Sequence, residues 1–158
     1  MEYYKKLFKS FVYAFRGVYN TVKTERNMRI HITCLVYMFS ILGFTDWFKL
    51  ERADWAILTV ASGTVIACEV INTAIENAVN LATQQYSEFA KLAKDAAAGA
   101  VLVSAVFAVV TGFIIMYQPA AFALMFAYFK QNPLSFALLA FSIIPASLFI
   151  FLPKRIKK

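Results

Sequence analysis

The sequence predicts an all-α integral membrane protein: an N-terminal interfacial amphipathic helix, three transmembrane helices and an additional C-terminal fourth span. Three observations carry that reading. The 158 residues are 61% hydrophobic and 16% aromatic, against about 45–50% apolar in a soluble domain. Apolar runs long enough for a bilayer alternate with short charged segments. Lys and Arg gather on alternate connections rather than evenly. With most of the chain in apolar segments there is no room for a separate soluble catalytic domain, so any chemistry belongs at or in the membrane. The N-terminus is basic and amphipathic rather than a short apolar core before a small-residue cleavage site, so no removable signal peptide is expected.

From Tyr3 to Val22 the large apolar residues Leu7, Phe8, Phe11, Val12, Phe15, Val18, Tyr19 and Val22 keep a helical period, and Lys5, Lys6, Lys9, Arg16 and Lys23 take the other side. That is a surface helix, 3–24, for an anionic membrane face. The polar stretch "TVKTERNMRIH" leads into "ITCLVYMFSILGF", which Trp47 and Phe48 extend to a first span of about 30–48. A charged turn, "DWFKLERAD", precedes a second span of about 55–80, and the polar Thr83–Asp95 stretch reads as a loop or helix extension. A third span, about 96–117, opens on "AAAGA", small residues that let helices approach closely. After Gln118-Pro119 the aromatic stretch Phe122–Phe129 is too short to cross alone and suits the interface. A fourth span, about 134–152, ends in a basic tail, and its Pro145 kinks it rather than ending it. Cys34 and Cys68, without metal-type spacing, read as packing residues.

Charge sets the orientation. Lys5, Lys6, Lys9, Arg16, Lys23, Arg26 and Arg29, then Lys91 and Lys94, then Lys154, Arg155, Lys157 and Lys158 fall on one side, and only Lys49, Arg52 and Lys130 on the other. The positive-inside rule makes both termini and the middle loop cytoplasmic, consistent with four spans. The net charge of +7 therefore reads as membrane orientation, and a nucleic-acid partner is not expected.

The chemistry lies in "CEVINTAIENAVN". On one helix Glu69, Asn72, Glu76 and Asn80 stand at i, i+3, i+7 and i+11 and share a face. The two carboxylates are about 10 Å apart along the axis, too far to hold one ion together. The deeper Glu69, in apolar surroundings, suits proton acceptance from a substrate. The shallower Glu76 suits Mg²⁺, which takes one or two carboxylates plus substrate phosphates, with Glu25 as the second. Lys94 and Asp95, at the start of the third span, supply a phosphate-binding cation and a further acid. His31, alone at a span entrance, reads as a hydrogen-bonded interfacial residue rather than a ligand or base. Acid, base, metal ligands and a cation at one membrane face are what phosphoryl transfer to a lipid hydroxyl requires. No glycine-rich nucleotide loop of either common kind is present.

The blocks "ERNMRIH" (Glu25–His31), "EVINTAIENAVN" (Glu69–Asn80) and "AKLAKDAAAGAVLV" (Ala90–Val103) resemble, in order and spacing, the signature blocks of the bacterial diacylglycerol kinase family. The resemblance spans roughly Lys6–Tyr117. It implies a lipid kinase membrane domain, 1–118, followed by a C-terminal extension, 119–158. It also implies ATP and Mg²⁺ as cofactors, a homotrimer with active sites shared between subunits, and a place in the bacterial cell membrane. Carried over by position, Glu69 is the catalytic base with Asn72 beside it, and Glu25 and Glu76 are metal ligands. Lys6, Tyr13, Glu25, Glu76, Gln85, Lys94 and Asp95 are nucleotide contacts, and Glu69 and Arg29 meet the substrate. The chain departs from the family at Asn80, where Asp is common, and at Gln85, where a nucleotide-contacting Glu is common. The "ERN…IH" form is similar to the Gram-positive branch and implies undecaprenol as substrate, with diacylglycerol second.

Two other readings compete. A non-enzymatic oligomer could use the stripe as a proton or cation path, but that needs polar residues across the span, and Ala56–Cys68 offers only Thr59, Ser62, Gly63 and Thr64. A phospholipid-synthesising alcohol transferase would need an aspartate cluster around a metal pair, which the sequence lacks.

Overall fold

In lipid, each backbone N–H and C=O must be satisfied within its own segment, and a chain this apolar meets that demand with helices alone. A computed structural model, which describes residues 2–83 and 85–151, contains α1 (Glu2–Thr24), α2 (Arg26–Phe44), α3 (Arg52–Ala82), α4 (Glu88–Met116), α5 (Pro119–Gln131) and α6 (Pro133–Phe151). There is no strand among the described residues. The helices α2, α3, α4 and α6 are each long and apolar enough to cross a membrane. In α1, Phe8, Phe11 and Phe15 are exposed along an otherwise basic helix, the pattern of a surface helix. Lys154, Arg155, Lys157, Lys158 and Leu152 lie outside the described residues.

The helix ends differ from the sequence expectation for local reasons. The first span stops at Phe44 rather than residue 48, because Thr45 is extended and turns its hydroxyl back to the Ile41 carbonyl (2.6 Å). Trp47 and Phe48 leave the helix and pack against α5. The second begins at Arg52, where Asp54 accepts the Glu51 N–H (2.9 Å) and so satisfies an orphan donor of the first turn. The third begins at Glu88, not residue 96, because Ser87 caps it by accepting from the Ala90 N–H (3.4 Å). Lys91, Lys94 and Asp95 are therefore helical. The helix α6 continues through Pro145, and Cys34 is exposed on α2 rather than packed.

Packing is most extensive between α3 and α4. There Ala97 and Val101 of α4 are buried, as are Ser62, Val65, Glu69, Asn72 and Thr73 of α3. A second cluster, Leu42, Phe48, Leu58 and Ala121, sits at the end away from α1. Here α5 covers the α2–α3 turn. Trp47 meets the rings of Tyr128 and Phe129, Phe48 meets Phe122 edge to face, and the Gln118 amide exchanges two hydrogen bonds with the Lys49 backbone, both 3.1 Å.

Arg29 joins three helix ends. Its Nη1 donates to the Val22 and Lys23 carbonyls (3.1 and 2.9 Å) and its Nε to the Ile150 carbonyl (3.1 Å). These carbonyls end α1 and α6, where acceptors lack helical partners and a cation is favoured. The start of α2 and the end of α6 therefore share a face of the molecule. Hydrogen bonds to charged groups contribute about 1.5–3 kcal/mol each, so Arg29→Met is expected to lower the thermal unfolding midpoint in detergent more than Cys34→Ser, an exposed control on the same helix. Equal midpoints for the two variants would show that the clamp is not stabilising.

Candidate active site

The polar stripe of α3 runs from buried to open. Glu69 is 1% exposed and Asn72 8%, Glu76 is half-buried, and Asn80 is exposed. This gradient follows from the helix geometry, since each step along the stripe carries a side chain one turn nearer the α1 face. Asn72 Nδ2 donates to Glu76 Oε1 (2.9 Å), and Lys94 Nζ donates across to Asn80 Oδ1 (2.7 Å), tying α4 to the open end of the stripe. Thr73 sends its hydroxyl to the Glu69 carbonyl (2.9 Å) and leaves the carboxylate free.

Among the described residues two buried side-chain acceptors have no hydrogen-bond partner: Glu69 Oε1 and Asn72 Oδ1. Such atoms cost about 1–3 kcal/mol each. Both residues line a cavity of about 250 Å³, with Asn27, Ile30 and His31 of α2 on one wall and Ala98, Val101, Leu102 and Ala105 of α4 on the other. One wall is wholly hydrocarbon. The His31 Nε2 atom lies 3.5 Å from Glu69 Oε1, just beyond ordinary hydrogen-bond length. Glu25 and Glu76 are near enough for their charges to bear on Glu69.

A second cavity, of about 530 Å³, opens beside the α3–α4 turn and is lined by Asn80, Gln85, Lys91, Lys94 and Asp95 among others. Its lining is mostly polar side chains, whereas the first has one wholly hydrocarbon wall. Together the two hold Glu69 and Asn72 at the deep end and Lys94, Asp95 and Gln85 at the shallow end, while Glu76, between them on the stripe, and Glu25, just before α2, line neither cavity. Other sequence candidates lie apart. Lys6 pairs with Glu2 on its own helix (3.8 Å), and Tyr13 is exposed on α1; neither lines either cavity. Arg29, expected at the substrate, is 5% exposed and engaged by three carbonyls. Sequence reasoning missed His31 as the neighbour of Glu69. Its one available signal was position, since His31 enters a span two turns inside the same polar block as Glu25.

Above Glu69 the stripe thins to one further buried hydroxyl, Ser62, seven residues away on the same face. Thr59 and Thr64 return their hydroxyls to the Trp55 and Val60 carbonyls of their own helix (2.7 and 2.8 Å). The site is thus a blind polar end under an apolar roof rather than a path across the span.

The sequence profile of the prokaryotic diacylglycerol kinase family matches residues 12–116. The chain belongs to that family. Among relatives, it is 42% identical over 110 residues to the undecaprenol kinase of Bacillus subtilis, covering 70% of this chain and 87% of the relative. It is 40% identical over 114 residues to a diacylglycerol kinase of Synechocystis, covering 72% of this chain and 63% of that longer protein. The chain is therefore a membrane lipid kinase, and the family match ends where α4 ends. In this kinase the Asn72–Glu76 bond connects the deep and shallow halves of the site. Asn72→Leu removes the donor that orients Glu76 and is expected to lower lipid-kinase turnover at least tenfold with the fold retained, as read by turnover beside a helical circular-dichroism spectrum.

Proposed function

We propose that the chain transfers the γ-phosphoryl group of ATP, with Mg²⁺, to the hydroxyl of undecaprenol on the cytoplasmic face of a bacterial cell membrane. The observation that carries this is the pair of unpaired acceptors, Glu69 Oε1 and Asn72 Oδ1, facing a hydrocarbon-walled cavity. An alcohol on an apolar chain supplies the missing donor and fills the remainder with methylenes. Diacylglycerol, the alternative, also brings two ester carbonyls, for which the α4 wall of Ala98, Val101, Leu102 and Ala105 has no side-chain donor. The likeness to an undecaprenol kinase supports the same order.

In this reading the lipid hydroxyl gives its proton to Glu69 as its oxygen bonds to the γ-phosphorus. The bond from that phosphorus to the β,γ-bridging oxygen breaks, ADP leaves, and Glu69 later loses the proton to water. Lys94 offsets phosphate charge from the shallow cavity, with Asp95 and Gln85 beside it. Asn72 leaves one Glu76 oxygen free, and Glu76 with Glu25 would hold Mg²⁺. No three His, Cys, Asp or Glu among the described residues form a closed metal set, which suits an ion completed by phosphate oxygens and waters. When bound, the ion neutralises charge on the β- and γ-oxygens. Arg29 serves the site through the α1–α2 corner that it holds.

Lys6 and Tyr13 lie outside both cavities of their own chain, which supports nucleotide contacts made across a homotrimer. A groove of small residues on α3 and α4, including Ala61, Ala96, Gly99 and Ala100, suits close approach of a neighbouring helix. The positive-inside count supports cytoplasmic termini and active site. We take residues 1–118 as the kinase unit and 119–158 as its extension.

The test is transfer of labelled γ-phosphate from ATP and Mg²⁺ to undecaprenol and to diacylglycerol in mixed micelles. The protein is expected to favour undecaprenol, Glu69→Gln to lose about 10²- to 10⁴-fold in kcat, and Glu76→Gln to require more Mg²⁺. Folded protein that phosphorylates neither lipid would refute the reading, and faster transfer to diacylglycerol would reverse the substrate order.

A further inference from the structure

Glu69 needs a donor from the protein before substrate arrives, and the neighbouring groups can be taken in turn. Arg29, two residues before His31, is spent on carbonyls of α1 and α6. The Asn72 amide N–H is engaged by Glu76, and Lys94 is held by Asn80. The Thr73 hydroxyl points to the backbone. Asn27, the other amide on the cavity wall, is exposed. His31 remains, partly buried, lining the same cavity, with Nε2 at 3.5 Å from the oxygen of Glu69 that has no partner. Hydrogen bonds of a reacting base are often long in the free enzyme and tighten when substrate binds. A change of about half an ångström brings this one to ordinary length.

We infer that His31 is the positioning residue of the kinase: its Nε2–H occupies one lone pair of Glu69 Oε1, fixing the carboxylate so that the lone pair left on that oxygen faces the lipid hydroxyl. The imidazole keeps its proton throughout, so nothing is added to the proton balance of the transfer. Because α2 supplies the donor and α3 the base, the contact also sets the distance between these helices at the depth of the reaction. A mobile carboxylate would lose the alignment that a near-attack geometry demands, a loss on the order of a hundredfold in rate.

The inference rests on the reading of Glu69 as the base that accepts the lipid proton, and the test separates the two. Full-length protein is assayed for kcat and for both KM values, with ATP, Mg²⁺ and undecaprenol or diacylglycerol in mixed micelles, as wild type, His31→Gln and His31→Leu. Gln keeps an N–H donor at matching reach and is expected to retain kcat within about fivefold. Leu is expected to lose roughly a hundredfold in kcat with the KM for ATP changed less than about threefold. Should Leu unfold the protein, His31→Asn, polar but too short to reach Glu69, takes its place with the same expected loss. Folded Leu or Asn variants with near-normal kcat would overturn the inference, as would a Gln variant as slow as Leu. Wild type inactive on both lipids would instead overturn the proposed function.

Discussion

A carboxylate enclosed by three apolar helices is costly, and in this protein most of the packing around α3 exists to hold one. Glu69 is 1% exposed, in a segment where an unpaired acid costs several kcal/mol. Helices supporting it must come close enough to exclude lipid and water, yet leave one face of the acid unfilled. The α3–α4 pair meets both demands through small residues. Ala97 packs against α3, while Ala98 and Ala105, too short to fill the space opposite Glu69, leave a cavity instead. Larger residues at those positions would cover the acid and remove the place where an alcohol can reach it.

From that constraint the division of the site follows. In the proposed reading the base sits where hydrocarbon chains can go, and the nucleotide sits where water can. One α-helix satisfies both by carrying its polar stripe outward, from Asn72 bonded to Glu76, to Asn80 bonded to Lys94. The first bond ties the deep half to Glu76 and the second ties the open end of the stripe to α4, so the spacing of the two cavities is set by helix pitch rather than by a flexible loop. Beyond Glu69 the stripe thins to the single hydroxyl of Ser62, while the exposed Thr59 and Thr64 return their hydroxyls to their own helix. This is the arrangement of a group-transfer site and not of a conduction path.

Much of this was legible in the sequence because membrane helices leave few alternatives. Length, apolar content and the Lys and Arg distribution gave the surface helix and four spans, and the spacing of Glu69, Asn72, Glu76 and Asn80 gave one face. Boundaries were less legible, since they depend on single local bonds: Ser87 begins α4 eight residues before hydropathy rises, and Thr45 ends α2 before Trp47 and Phe48. Partnerships between helices were least legible. Periodicity places Arg29 and His31 on the entrance to α2, but only packing reveals that Arg29 turns to the ends of α1 and α6 while His31 turns to Glu69.

The helices α5 and α6, which lie beyond the family match, are joined to α2 at both of its ends. At the far end, α5 seats its rings on the α2–α3 turn, and Gln118, the residue that leads into it, bonds the Lys49 backbone. Partway along, Tyr37 and Ser142 share a hydrogen bond of 2.7 Å, and at the near end Ile150 accepts from Arg29. These contacts lie along a different face of α2 from Ile30 and His31, so α6 braces the helix without occupying the cavity. Its reach into the site is through the backbone corner at Glu25. Arg29 bonds the Val22 and Lys23 carbonyls just before that corner, so the backbone leading to the carboxylate proposed as a metal ligand is braced by a guanidinium that also bonds the Ile150 carbonyl of α6.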